Sequence, residues 1–234
     1  MIHDEAAVKH FIDTFATDDV QLLLLASRRK YNHEQERGSV VLERTIVHDR
    51  HFQTIRRLAA IASAQEDSGG LVMYWLLNPR DPVKAYFEFD RRMKCLLANV
   101  ASGRPAQQRF DHAHRYYVSA MHASRGTRKW VEVDVDTKDE SVLRVIRNAL
   151  EGTEEAHVCT IETRGGYHVI YDADKIKCRL QHMHKVFNHM TFKKANVNGD
   201  VVAKSYADIR TDPSPPIPGT MQGDFKVRFH TTLL

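Results

Sequence analysis

An α/β protein, with an N-terminal α/β half (residues 1–125) packed against a C-terminal sheet half (126–234), is predicted by three observations. Apolar side chains recur at three- and four-residue steps in residues 4–16, 82–100 and 139–150. Short β-compatible runs bounded by turn residues alternate with these helices. From residue 129 onward the order is strand, helix, strand, strand, helix. The two halves are expected to form one domain spanning residues 1–234.

Taken in order, residues 4–16 place Val8, Phe11, Ile12 and Phe15 on one helical face behind Asp4, whose short carboxylate suits an N-cap. Val20 to Ala26 is an unbroken apolar run, fit for a buried strand or the start of a helix. Residues 40–64 begin as a strand or helix and continue as a helix through Phe52, Ile55, Leu58, Ala59 and Ala62. Leu71 to Leu77 reads as a buried strand closed by Asn78-Pro79. Asp81 caps the next helix, with Pro82 in the first turn, where a missing N–H costs nothing. Its expected core stripe is Tyr86, Phe89, Met93, Leu96, Leu97 and Val100, and another helix follows at about 114–123.

The C-terminal half is predicted as a strand at 129–136 and a helix at 139–150 with Val142, Val145, Ile146 and Ala149 inward. Strands follow at 156–162 and 166–171, then a helix at 174–190 carrying Ile176, Leu180, Met183 and Phe187. Thr211 to Gly219 is proline-dense and should be a stiff loop, because Phe225, Val227 and Phe229 alternate after it as a final strand.

Composition narrows the classes of function. No run of 18 or more apolar residues occurs, and the N-terminus lacks the basic-then-apolar order of a secretory signal, so a soluble, intracellular protein with no membrane partner is expected. Cys95, Cys159 and Cys178 are odd in number and without C-x-x-C spacing, which argues against a disulfide framework or a closed zinc site. The net charge of +4 is gathered into clusters: Arg28-Arg29-Lys30, Arg56-Arg57, Arg91-Arg92, Arg125 to Lys129 and Lys193-Lys194. Such clusters suit a polyanionic partner as well as a solvated face.

The chemistry is concentrated in Lys129 to Tyr171. Side chains alternate along a strand, so Val131, Val133 and Val135 face one way, and Glu132, Asp134 and Asp136 the other. Carboxylates about 7 Å apart on one strand face repel each other unless a cation lies between them, and Mg²⁺ or Mn²⁺ takes oxygen ligands of this kind. Downstream, Arg164-Gly165-Gly166-Tyr167-His168 sets a guanidinium, two bare backbone N–H groups and an imidazole around a turn, a set suited to phosphate.

These motifs resemble the catalytic core of the archaeo-eukaryotic primase superfamily, which includes primase-polymerases. In that family an hhhDhD strand binds two metals, matched here by Asp134 and Asp136, and a small-x-His motif contacts the incoming nucleotide, matched by Gly166-Tyr167-His168. A third carboxylate ends a later strand ahead of a Pro-Gly turn, and Asp208, before Arg210 and Pro218-Gly219, matches it. Asp200, Asp212 and Asp224 sit in turn-like contexts instead. The interval from Asp208 to Pro218 is longer than the family's, and the zinc-binding insertion of many primases is not seen. The resemblance implies an RRM-like C-terminal sheet with a metal site in the cleft between the halves. It also implies two Mg²⁺ or Mn²⁺ ions on Asp134, Asp136 and Asp208, with Arg164, Gly165, Gly166, His168 and Arg210 on the triphosphate. The partners implied are nucleoside triphosphates, single-stranded or primed DNA, and a helicase or accessory primase subunit.

Two other functions would draw on residues of the same chain. A non-catalytic nucleic-acid-binding module of the same fold would keep the basic clusters without the metal chemistry. A nicking endonuclease would need His112-Ala-His114 or His182-Met-His184 on a strand, but in a helix, positions two apart differ by about 200° and cannot share a metal. A template groove would draw on aromatic and basic residues such as Tyr116, Tyr117, Arg125, Lys129 and Arg210.

Overall fold

The computed structural model describes residues 2–27, 40–64, 70–103, 112–195 and 201–230, and it is mixed α/β with antiparallel sheets. Helix α1 (Glu5–Phe15) starts at Asp4, whose carboxylate accepts from the Ala7 N–H, and buries Val8, Phe11 and Phe15. The apolar run after it is strand β1 (Gln21–Ser27), central in a sheet of order β2-β1-β3 with β2 (Val40–Val47) and β3 (Leu71–Leu76). The run is continuous because both faces of β1 are covered. Leu23 and Leu25 pack with α1 and with α2 (His51–Ser63), while Leu22 and Leu24 pack with Ala85 of α3 (Pro82–Ala101) and with Ala120 and Met121 of α4 (Ala113–Ala123).

Asp81 and Pro82 begin α3 as expected, but the helix turns a different face inward. Ala85 and Leu96 are its buried residues, whereas Tyr86, Leu97 and Val100 are exposed, so the six-residue core stripe is corrected. The reason is the position of α4, which meets α3 on the side of Phe89 through a Phe89–Tyr117 edge contact.

In the C-terminal half, β4 (Trp130–Val135), β5 (His157–Glu162), β6 (Tyr167–Asp172), β9 (Ala207–Arg210) and β12 (Arg228–His230) form one sheet of order β12-β5-β6-β4-β9, every neighbouring pair antiparallel. Helix α5 (Glu140–Leu150) crosses from β4 to β5. The predicted helix at 174–190 is two pieces, α6 (Ala173–Ile176) and α7 (Leu180–His189). The hairpin β7 (Thr191–Ala195) and β8 (Val201–Ser205) then leads to β9. Val131, Val133 and Val135 pack under α5 and α7 with Leu143, Ile146, Met183 and Phe187. Val145, expected in this core, is exposed, and Leu143 and Leu150 take its place. The final strand is interrupted: β10 (Met221–Gln222) pairs with β11 (Phe225–Lys226), and β12 joins the large sheet. Val227 between them is fully buried and bonds to Gly219 and Thr220 instead of to a neighbouring strand.

The halves share one core. Val8, Phe11, Phe15, Leu23 and Trp75 from the first half lie in the same cluster as Trp130, Ile161, Ile170, Ile217 and Val227 from the second. Buried Asn78 staples them: its Oδ1 accepts from the Lys129 and Trp130 N–H groups, and its Nδ2 donates to the carbonyls of Trp130 and Thr211. The proline-dense segment runs along the open edge of β3. Its Pro213 and Pro215 carbonyls accept from Leu77 and Trp75, and Ile217 alone donates back, to Met73. Prolines can only accept, so they satisfy the N–H groups of this edge without offering it a strand to extend. Asp212, read as a turn residue, lies in a bend and is also clamped by buried Arg80 at 2.8 Å and by Arg125 at 3.2 Å.

Candidate metal and anion site

The alternation of β4 places Glu132 and Asp134 on the face away from the helices. In the ladders on either side, Asp134 is opposite both His168 of β6 and Asp208 of β9, and Glu132 is opposite Arg210. Directly opposed residues share a face, so the register alone assembles Glu132, Asp134, His168, Asp208 and Arg210 on one side of the sheet. Ligand atoms of Glu132, Asp134 and His168 all lie within 4.8 Å of one another, and all three residues are buried. Such a group could hold a metal ion.

His168 Nδ1–H donates to Glu132 Oε1 at 2.8 Å, and its Nε2 lies 3.7 Å from Asp134 Oδ1. Burial works against charge on this imidazole, yet the Glu132 and Asp134 charges and the Glu132 hydrogen bond together outweigh it, so His168 titrates above its ordinary value. The other oxygen of Glu132 accepts from the Ser214 N–H at 3.0 Å. Asp134 Oδ2 is paired with Arg210, and Asp136, just past the end of β4, is paired with Lys204. Asp136 is brought to Lys204 by the backbone, because its N–H donates to the Tyr206 carbonyl at 2.9 Å.

A cavity of about 190 Å³ opens over this group, lined by Asp134, Asp136, His168, Lys204 and Arg210, by Thr163 and Gly165 of the β5–β6 turn, and by Tyr74 and Gln222. Gly166 brings that turn in. A Cβ there would lie 1.8 Å from the Val135 carbonyl oxygen, so only glycine lets the turn close on the end of β4.

Of the residues singled out by sequence, Asp134, Asp136, Gly165, His168 and Arg210 therefore meet in one cavity. Asp208 is across from Asp134 but exposed, and it stands outside the close group of Glu132, Asp134 and His168. Arg164 pairs with Asp224 at 3.1 Å, and its N–H donates to Gln222. Sequence reasoning missed Glu132 and Lys204 as participants. The alternation that put Glu132 on the acidic face was the available signal for it, and Lys204 carried none.

The remaining sequence-level features fall elsewhere. Arg91 and Arg92 are spent on Glu88, and Arg125 on Asp212. Arg28-Arg29-Lys30 and Asp200 lie outside the described residues. His182 and His184 are on helix α7, while His112 stands at the N-terminal cap of α4 and His114 within it, so neither pair is on a strand. Burial pushes the Cys159 thiol up to about 12, which disfavours its thiolate at neutral pH. No helix is long and apolar enough to cross a membrane among the described residues. Comparison with family models, curated proteins and solved structures gives no match, so function is argued from the site itself.

Proposed function

We propose that this chain is a metal-dependent nucleotidyltransferase of the primase-polymerase type, joining nucleoside triphosphates on a single-stranded or primed DNA template. The observation that carries the reading is the meeting of Asp134, Asp136, His168, Lys204 and Arg210 around one cavity at the end of β4. Carboxylates for divalent metal and cations for phosphate are what phosphoryl chemistry requires in one place. The strand order β9-β4-β6-β5, with helices between β4 and β5 and between β6 and β9, supports an RRM-like sheet. The presence of Tyr74 of β3 in the cavity wall supports a site facing the N-terminal half.

The donor set suits a divalent ion: two buried carboxylates and an imidazole converge within 4.8 Å. Asp134, a member of that group, and Asp136, which lines the same cavity, would hold the metal, and Asp208 lies across the ladder from Asp134. Bound Mg²⁺ or Mn²⁺ would supply the charge that activates a primer 3′-hydroxyl and neutralises the triphosphate. His168, fixed through Nδ1, offers Nε2 toward the cavity, and Arg210 adds a guanidinium fork for phosphate oxygens. Thr163 and Gly165 of the β5–β6 turn form one wall of the cavity, and Gly166 lets that turn close on the end of β4.

The second reading, a nucleic-acid-binding module without catalysis, is favoured by one observation: Arg210 and Lys204 already neutralise Asp134 and Asp136. Purified protein, Mn²⁺, labelled deoxynucleotides and primed DNA decide between them. Incorporation by the native chain and its loss, by at least about a hundredfold, in Asp134→Ala and Asp136→Ala is the expected result. DNA binding without incorporation would favour the module.

A further inference from the structure

We infer that Lys204 and Arg210 are exchangeable counterions. In this structure they hold the carboxylates of Asp136 and Asp134, and they transfer to the phosphates of a metal–polyphosphate ligand when it enters. The inference rests on the nucleotidyltransferase reading for its substrate class, which it narrows to a polyphosphate arriving together with its divalent cation.

Competition for two carboxylates leads to it. Arg210 is paired with Asp134 and Lys204 with Asp136. A divalent ion held by the same two carboxylates would bring three cations to one cavity wall, where like charges repel. Phosphate oxygens arriving with the ion give Lys204 and Arg210 new partners. The metal and the polyphosphate should thus each strengthen the binding of the other, by the same factor in both directions.

Geometry allows the exchange. The Asp134 side chain is only 9 % exposed, whereas the Arg210 side chain paired with it is 40 % exposed; for Asp136 and Lys204 the values are 25 % and 37 %. Asp134 is therefore fixed in the sheet and Asp136 just past its end, while the cations reach them on long stems from the solvent side and can move without disturbing the fold. All four side chains line the same cavity, so a cation released from its aspartate remains beside the ligand. Lys204 comes from the β7–β8 hairpin and Arg210 from the edge strand β9, both outside the central strands that carry the carboxylates and His168.

A competing counterion makes an unusual prediction: its removal should help one ligand and harm the other. Mn²⁺ binding to the full chain would be followed by the electron paramagnetic resonance signal of free Mn²⁺, with and without the non-hydrolysable α,β-methylene analogue of dATP. For the native chain, each ligand should tighten the other by about tenfold or more. Lys204→Met should bind Mn²⁺ alone more tightly, by up to about fivefold, because a partly exposed ion pair no longer competes for Asp136. The same variant should bind the analogue in the presence of Mn²⁺ about tenfold more weakly, for want of a charge-assisted hydrogen bond. Arg210→Met should show the same opposed pair of effects, and Lys204→Arg should restore both affinities. Weakening of both ligands, or no change in Mn²⁺ affinity, in Lys204→Met and Arg210→Met alike would overturn the inference. Those outcomes remain distinct from failure of the catalytic reading: opposed effects without incorporation would leave the exchange standing and remove the polymerase, whereas incorporation without opposed effects would do the reverse.

Discussion

Glu132 is fully buried, and each of its oxygens has a separate donor, the imidazole Nδ1–H of His168 and the backbone N–H of Ser214. One contact fixes the tautomer and tilt of a histidine on the neighbouring strand, and the other holds the proline-dense strap against the sheet. Glu132→Gln retains the shape but gives one of these donors an N–H to face. The expected loss is about 1–3 kcal/mol of stability, read by chemical denaturation, together with weaker Mn²⁺ binding as His168 loses its orientation. Unchanged stability and unchanged Mn²⁺ affinity would show that the contact does neither. Strand alternation placed Glu132, Asp134 and Asp136 on one acidic face, and it was right about the face. It has no means of separating a carboxylate committed to a histidine from one that lines a cavity, because His168 is opposite Asp134 in the ladder yet donates to Glu132, its diagonal neighbour. The same limit applies to Asp208, whose place opposite Asp134 depends on the pairing of β9 with β4.

At the level of elements, the turn between β5 and β6 was legible as a glycine turn, and its mechanical role was not. Gly166→Ala would set a methyl group 1.8 Å from the Val135 oxygen and 2.8 Å from the Thr137 nitrogen. The turn must then lift from the end of β4, carrying Gly165 away from Asp136. A loss of at least about 2 kcal/mol is expected in denaturant, with a matching loss of Mn²⁺ affinity. Beside this turn, Glu162 ties the loop between β4 and α5 to β12 by accepting from Lys138 at 2.8 Å and from Arg228 at 2.6 Å. Burial opposes its charge, but the hydrogen bonds from Arg228 and Lys138 outweigh it and hold the carboxyl below its ordinary value. A depressed carboxyl stabilises the fold above its unfolded value and loses that contribution as pH falls through the folded one. Glu162→Gln should thus be less stable than the native chain at pH 7, by no more than about 1 kcal/mol because Arg228 is largely exposed. The difference should vanish in acid, and a gap that persists below the depressed value would point to packing in place of charge. Helix α3 shows where periodicity ran out. Its apolar residues, from Val83 through Phe87 and Phe89 to Leu97 and Val100, occupy much of its circumference, so three- and four-residue steps identified a helix without deciding which side the sheet and α4 would cover.

Over the whole molecule, the division at residue 125 describes the order of elements more than the way they are held. The N-terminal sheet and α1 share a core with the face of the large sheet opposite α5 and α7, and each half contributes one tryptophan to it, Trp75 and Trp130. Phe15 of α1 meets Trp130 edge-on, with ring centres 5.2 Å apart, and Phe11 meets Trp75 in the same way at 5.6 Å. These contacts run between segments distant in sequence, which is why composition and periodicity predicted two halves and could not predict the seam. A shared core has a measurable consequence: neither half can lose its packing without exposing the other. Trp75→Phe and Trp130→Phe variants each leave a single fluorophore in one half, and the remaining tryptophan should report the same denaturant midpoint in both, coincident with that from circular dichroism. Ile170→Ala, which hollows the core from the β6 side, should cost about 2–5 kcal/mol and lower the midpoint seen by Trp75 as much as the midpoint seen by Trp130. Were the Trp75 signal to hold its midpoint while the Trp130 signal fell, the halves would be separate folding units, and the wall that Tyr74 of β3 gives to the cavity would be a contact between domains free to part.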